Sequence, residues 1–192
     1  MMATAGSQER KRLHPHKFTM WVALASIVMM FAGLTSAYIV KKANAQWLEF
    51  RLPDIFWYST LVMLLSSVTV HLSVKSFKAR EMSRYRALIG ISAALGVLFV
   101  VLQYMGLKEI EANGIPLFGF DSNPSASFVG IIGGLHGLHV IGGVIALVAM
   151  FLRAYIGTKK VYGSTGLEIT ATYWHFVDGL WIYLFIFFNW IA

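Results

Sequence analysis

Residues 126–152 read ASFVGIIGGLHGLHVIGGVIALVAMFL, an apolar run that contains two histidines. A helix needs about 20 apolar residues to cross the roughly 30 Å hydrocarbon core of a bilayer, and this run is longer than that. A membrane-spanning strand would instead alternate apolar and polar residues over about ten positions. The stretch therefore predicts a transmembrane α-helix.

Four further runs are also long and apolar, and the composition of the whole chain is that of a membrane protein. Of the 192 residues, 57% are hydrophobic and 13% are charged, whereas soluble domains are about a quarter charged. We predict one all-α integral membrane domain over residues 18–192, a bundle of five transmembrane helices, after a disordered, basic cytoplasmic tail at 1–17. The other four predicted spans are 18–40, 54–74, 87–107 and 169–192.

The lysine and arginine residues are distributed unevenly between the two ends of these spans. Twelve of the 16 lie in the N-terminal tail, between spans two and three, or between spans four and five. Because basic loops stay in the cytoplasm, this split predicts a cytoplasmic N-terminus and an external C-terminus. The loops also explain the net charge of +7, so we expect no nucleic-acid partner.

The cations of the two cytoplasmic loops have two interpretations. They could set the topology and do nothing else. They could also contact anionic lipid headgroups, because clustered cations beside a membrane attract such lipids. The residues concerned are Lys75, Lys78, Arg80, Arg84, Arg86, Arg153, Lys159 and Lys160.

Ionisable side chains inside the predicted spans are functional candidates, because they are costly in lipid. The segment YWHFVDGLW at 173–181 contains His175 and Asp178, which lie one helical turn apart. The preceding span contains His136 and His139 at the same spacing. An aspartate at mid-membrane costs on the order of 2.5–3.5 kcal/mol on insertion scales. We therefore expect Asp178 to be neutral, paired or turned towards other helices.

Three interpretations of these residues are open. They could ligate iron, manganese or zinc, although di-iron bundles use several glutamates and these spans contain none beyond Glu168. Two of the histidines could be axial ligands of a haem between the last two spans. They could instead form interhelical hydrogen bonds that fix packing. The chain has no cysteine, which excludes disulfides, thiolate metal sites, iron–sulfur clusters and c-type haem attachment.

Glycines around the first histidine pair favour the packing interpretation. Small residues four positions apart on a membrane helix let a second helix backbone approach closely. A histidine on such a helix lies tight against its neighbour, which suits a hydrogen bond better than a large cofactor. The two pairs are Gly130 with Gly134 and Gly133 with Gly137.

Two histidine-containing segments, in this order, carry a resemblance to a known family. HGLHVIGG at 136–143, a basic loop, a glutamate and YWHFVDGLW at 173–181 closely resemble subunit III of haem–copper terminal oxidases. ASIVMMFAGLTSAY at 25–38 is similar to the third helix of that family. The resemblance covers nearly the whole chain after residue 17. It implies the five-helix form, in which the first two helices of longer members are missing from this polypeptide.

The resemblance implies a non-catalytic subunit of a bacterial respiratory oxidase, multi-pass in the cytoplasmic (inner) membrane. The complex would reduce oxygen and translocate protons, with haem and copper on partner subunits and no redox centre on this chain. This chain would pack directly on subunit I, assemble with subunit II and other oxidase subunits, bind phospholipid and support sustained turnover and proton uptake. The residues assigned to an internal polar network are His136, His139, His175 and Asp178, with Glu168 at the cytoplasmic start of the last span.

Alternatives to this function are a small five-helix transporter and a diheme membrane cytochrome. The spans contain no proline that would break a transport helix. The electron donor of the complex, cytochrome c or quinol, is set by other subunits. The sequence also departs from the family at one position, since many members have a buried glutamate after a serine where this chain has Ser26 and Ile27. Isoleucine cannot exchange a proton, so no role of that glutamate carries over.

Overall fold

A computed structural model describes residues 15–43, 47–48, 50–119, 122–156 and 165–191. These residues form five α-helices, all of them long and apolar enough to cross a membrane, and the described residues contain no strand. The predicted all-α bundle of five spans is therefore confirmed. The helices are α1 (Pro15–Lys42), α2 (Ile55–Lys78), α3 (Met82–Ala112), α4 (Pro124–Ile156) and α5 (Thr165–Ile191).

The helices are longer than the apolar runs that predicted them. Helix α1 begins at Pro15, three residues before the predicted span, and α3 extends by five residues at each end of 87–107. The helical backbone continues past the hydrocarbon region because polar side chains on the extra turns remain solvated. Residues 1–14 of the predicted tail lie outside the described part of the chain.

A three-residue turn joins α2 to α3 and makes them antiparallel neighbours. The amide of Ala79 donates to the carbonyl oxygen of Lys75, and the amide of Glu81 donates to that of Ser76, both at 3.0 Å. Arg80 between them has a positive φ of 62°. This left-handed residue reverses the chain directly after the last helical turn.

Four of the helices form a closed ring, and the first helix packs on its outside. The contact between α2 and α3 is the most extensive; α3 also packs on α4, α4 packs on α5, and α5 packs on α2. Helix α1 packs on α4 and α5. The N-terminal helix therefore contacts the two helices that come last in the sequence.

Trp174 is the centre of the ring. Its side chain is fully buried, and its indole Nε1–H donates to the hydroxyl of Ser66 on α2 at 3.1 Å. The absence of side chains at Gly96 on α3 and Gly143 on α4 leaves room for the indole, since a Cβ at either position would lie 2.8 Å from it. One tryptophan thus sets the spacing of four helices.

A second cluster of aromatic residues holds α1 against α4 and α5 near the end of the bundle at which α1 finishes. The ring centroid of Tyr38 lies 4.6 Å from that of Trp47 and 5.3 Å from that of Phe187. Thr35 and Tyr183 share a hydrogen bond of 3.0 Å between α1 and α5. This half of α1 is therefore firmly packed.

The four glycines of α4 that were predicted to allow close helix packing do not lie at the closest contacts between helices. A Cβ at Gly130 would lie 3.0 Å from a ring atom of the loop after α3, and one at Gly133 would lie 4.0 Å from a side chain of α3. A Cβ at Gly134 or Gly137 would meet nothing within 4 Å. These two positions point away from the ring, so their role in helix packing stays a prediction. Among the described residues, the close approaches between helices occur at Gly96 and Gly143 beside Trp174, and also at Gly90 and Gly106 on α3.

Candidate functional site

The histidine and aspartate of α5 meet a serine of α2. The Nδ1 atom of His175 lies 2.6 Å from the hydroxyl oxygen of Ser67 and 4.0 Å from Oδ2 of Asp178. A catalytic relay would place the hydroxyl on one ring nitrogen and the carboxylate on the other. Here both groups approach the same nitrogen, so the arrangement fastens α5 to α2 and does not activate a nucleophile.

Asp178 is buried, with 5% of its side chain exposed. Neither carboxyl oxygen has a hydrogen-bonding partner with good geometry among the described residues. The side chain faces α2 and not the lipid, as expected from the cost of a carboxyl group in hydrocarbon. His175, with 37% of its side chain exposed, is its nearest ionisable neighbour in an ion-pair geometry.

Ser67 was not predicted, but α2 contains a signal that points to this region. Ser59, Ser66 and Ser73 follow one another at intervals of seven residues, and all three are fully buried. A repeat of seven places residues on one helix face. The serines therefore mark the face of α2 that turns inward, and Ser67 is next to the middle one.

His136 lies in the ring of helices without a hydrogen bond from either ring nitrogen to any described residue. Its side chain is 1% exposed and stacks on Trp181 with ring centroids 5.3 Å apart. The edges of Phe31 and Phe99 contact it at centroid distances of 6.4 and 6.2 Å. His136 thus packs as an aromatic ring among Phe31, Phe99 and Trp181.

His139, one turn later, belongs to a different contact. Its Nδ1–H donates to the carbonyl oxygen of Leu135 at 2.7 Å, within α4. The hydroxyl of Tyr173 donates to the carbonyl oxygen of His139 at 2.9 Å and links α5 to α4. In the described contacts the two histidines of α4 are therefore not joined to His175 and Asp178 by hydrogen bonds.

Glu168 connects three helices at the end of the bundle where α5 begins. Its Oε2 lies 3.0 Å from the ammonium nitrogen of Lys17 on α1, and its Oε1 lies 3.0 Å from that of Lys78 on α2. The sequence placed Glu168 in the polar network and Lys78 among the lipid contacts, without linking them. This bridge could not be predicted from the sequence because its partners are far apart along the chain, by 151 residues for Lys17 and Glu168.

The other described cations of the two predicted cytoplasmic loops lie at the same end of the bundle as Glu168. Arg84 pairs with Glu81 at 3.4 Å, and the guanidinium carbon of Arg86 lies 5.4 Å from the ring centre of Tyr155. Lys75, Arg80 and Arg153 are exposed there. Lys159 and Lys160 lie outside the described residues.

Next to the Glu168 bridge, α1, α2 and α5 enclose a cleft of about 330 Å³. Trp21 lines it from α1, and His71 lines it from α2. Lys17, Glu168 and His175 lie on its walls as well. The ring centroids of the two histidines are 6.3 Å apart. The cleft therefore extends from the charged bridge to the His175 contact.

A family model described as cytochrome c oxidase subunit III matches residues 14–192. The chain belongs to this family. A "Cytochrome c oxidase subunit 3" of Thermostichus vulcanus is 30% identical over 85% of this chain and 81% of its own length. A "Probable cytochrome c oxidase subunit 3" of Nocardia farcinica is 30% identical over 96% of this chain and 95% of its own length. With five spanning helices, this member of the family is a multi-pass membrane protein.

Longer members of the family are also similar to this chain. A "Probable cytochrome c oxidase subunit 3" of Rickettsia prowazekii is 32% identical over 70% of this chain but over 47% of its own length. Among the described residues, no three histidine, aspartate or glutamate side chains converge in a way that could hold a metal ion. The family match disfavours the transporter and the diheme cytochrome as alternatives.

Proposed function

We propose that this chain is the non-catalytic subunit III of a bacterial haem–copper oxidase that reduces oxygen and translocates protons. The observation that carries the proposal is the family match over residues 14–192. In this proposal, haem and copper lie on partner subunits, and this chain packs directly on subunit I, with subunit II in the same complex.

The arrangement of the polar side chains supports a structural role for this chain. Ser67, His175 and Tyr173 use their polar atoms for contacts between helices. His136 is enclosed by aromatic rings. Side chains engaged in this way serve packing and are poorly placed to ligate a redox metal.

The lipid role follows from the charge at one end of the bundle. Lys75, Arg80 and Arg153 are exposed there, at the ends of helices that we place in the cytoplasmic leaflet. Each cation near an anionic leaflet adds about 1 kcal/mol of attraction. We infer that bound phospholipid and the apolar outer wall of the bundle shield subunit I and prolong its turnover.

Purification of the tagged chain in a mild detergent tests this function. The expected result is co-purification with larger oxidase subunits and with the absorption spectrum of their haems. Metal analysis of the chain alone, after separation, should give no stoichiometric iron or copper. A chain that purifies without any oxidase subunit, or that retains haem by itself, would contradict the proposal.

The same preparation decides the electron donor, for which we favour cytochrome c over quinol. A partner subunit that contains a dinuclear copper centre would identify a cytochrome c oxidase. An active complex without that centre, which oxidises quinol, would show that the donor assignment is wrong while leaving the subunit III assignment intact.

Deletion of the chain separates its supporting role from catalysis. We expect the complex without it to start with normal turnover and then to inactivate faster than the intact complex. Substituting Lys75 and Arg153 by glutamine should lower the retained anionic lipid. Unchanged lipid content in that variant would limit these cations to setting the topology.

A further inference from the structure

We propose that Glu168 is a latch that holds the Lys17 end of α1 against α2 and α5 and thereby sets the width of the cleft between them. The latch would act within this chain, on the Lys17 end of α1, and is separate from the role of subunit III in the oxidase. The two halves of α1 are packed unequally, and this difference is the starting observation.

The half of α1 that ends at Lys42 is fixed by aromatic contacts. Tyr38 is 2% exposed and contacts the rings of Trp47, Phe128 and two residues of α5. Phe31 is 1% exposed and contacts the histidines of α4. An interior this well packed resists movement.

The other half of α1 has few apolar contacts. Between residues 17 and 24, Leu24 is the one buried side chain. Phe18 and Trp21 are both 62% exposed. This half also borders the cleft of about 330 Å³ and does not pack on α2. Packing alone therefore leaves the spacing of α1 and α2 weakly determined here.

The Glu168 bridge supplies the missing constraint. One carboxylate accepts from Lys17 on α1 and interacts with Lys78 on α2, at 3.0 Å each, from its place on α5. The side chains are 26%, 40% and 58% exposed for Glu168, Lys17 and Lys78. Ion pairs with this much exposure are individually weak. They can hold the cleft at its observed width while still allowing it to open further.

Distance measurements between spin labels test the latch. The chain has no cysteine, so introduced cysteines are the only attachment points within it. One label pair, at Phe18 and Leu72, reports on α1 and α2 near the bridge. A second pair, at Val40 and Tyr58, reports on the opposite ends of the same helices. All four positions are exposed.

Glu168→Gln in the full chain, within lipid nanodiscs, should lengthen or broaden the Phe18–Leu72 distance and leave the Val40–Tyr58 distance unchanged. Lys17→Gln should reproduce this change. Raising the salt concentration should shift the unsubstituted chain in the same direction and have little effect on Glu168→Gln, because salt screens exposed pairs.

The matched control is Glu111→Gln, which removes the ion pair with Lys108 at 2.8 Å within α3 and should change neither distance. An unchanged Phe18–Leu72 distance in both latch variants would overturn the proposal. An equal change of both distances would also overturn it, since it would show a general loss of packing. The experiment reads helix spacing alone, so its failure is distinguishable from a failure of the oxidase assignment.

Discussion

At the scale of single residues, helix spacing depends on the fit between Trp174 and the two glycines that face it. The indole occupies the space in which side chains of α3 and α4 would otherwise lie. Its one polar atom is satisfied by Ser66. Overfilled cores cannot relax easily, so small additions beside such a ring are costly.

The substitution Gly143→Ala tests this fit. The new Cβ would lie 2.8 Å from the indole of Trp174, and we expect a loss of about 1–3 kcal/mol in the free energy of unfolding. Thermal unfolding of the purified chain in detergent measures it. Gly134→Ala is the control on the same helix, where nothing lies within 4 Å. That substitution should be neutral or stabilising by up to about 1 kcal/mol.

The surroundings of His136 also allow a prediction of how substitutions change the free energy of unfolding. Because neither ring nitrogen has a described hydrogen-bonding partner, His136→Phe should change the unfolding free energy by less than about 1.5 kcal/mol. His136→Ala removes the ring from among Phe31, Phe99 and Trp181 and should cost about 3–5 kcal/mol. Equal damage by the two substitutions would show that the imidazole acts through its nitrogens.

The sequence was informative about His175 and Asp178, because a fixed i, i+3 spacing in one helix determines their separation. It was less informative about His136 and Glu168, whose partners come from distant parts of the chain. A sequence shows which side chains have a high free-energy cost in lipid. It does not show which neighbouring side chain offsets that cost, because the neighbour depends on how the helices are rotated against one another.

At the scale of elements, the turn between α2 and α3 carries local backbone strain. Arg80 adopts a φ of 62°, a left-handed conformation that costs a side-chain-bearing residue about 1–2 kcal/mol. Arg80→Gly should therefore stabilise the chain by up to about 1 kcal/mol in thermal unfolding. Arg84→Gly, four residues later inside α3, should destabilise it by about 0.5–1 kcal/mol. The same sign for both would contradict a strained turn.

The five elements themselves were accessible from the sequence, because an apolar run of this length has few other structures available to it. Their pairing was not. Small-residue spacing on α4 pointed to Gly134 and Gly137 as contact positions, yet nothing in the described residues lies within 4 Å of a Cβ there. Spacing identifies a helix face that allows close approach, and the neighbouring element decides whether that approach occurs.

At the scale of the whole molecule, the uneven distribution of basic residues predicts how the bundle lies in the membrane. Single cysteines can be introduced at Ala79, in the turn between α2 and α3, and at Asn113, directly after α3. Both positions are exposed. In spheroplasts, a membrane-impermeant maleimide should label Asn113→Cys and not Ala79→Cys. Labelling of Ala79→Cys and not of Asn113→Cys would show the opposite orientation, with Glu168 at the external side.

Helix α1 precedes α4 and α5 in the chain, so it is synthesised before the two helices on which it packs. When the ribosome has completed α1, the helices that bury Phe31 and Tyr38 do not yet exist. Until those helices are inserted, we expect lipid or an insertion factor to cover the two rings. The packing of α1 is therefore completed only after α5 is inserted, and a truncation that removes α5 should leave α1 with its contacts to α4 alone.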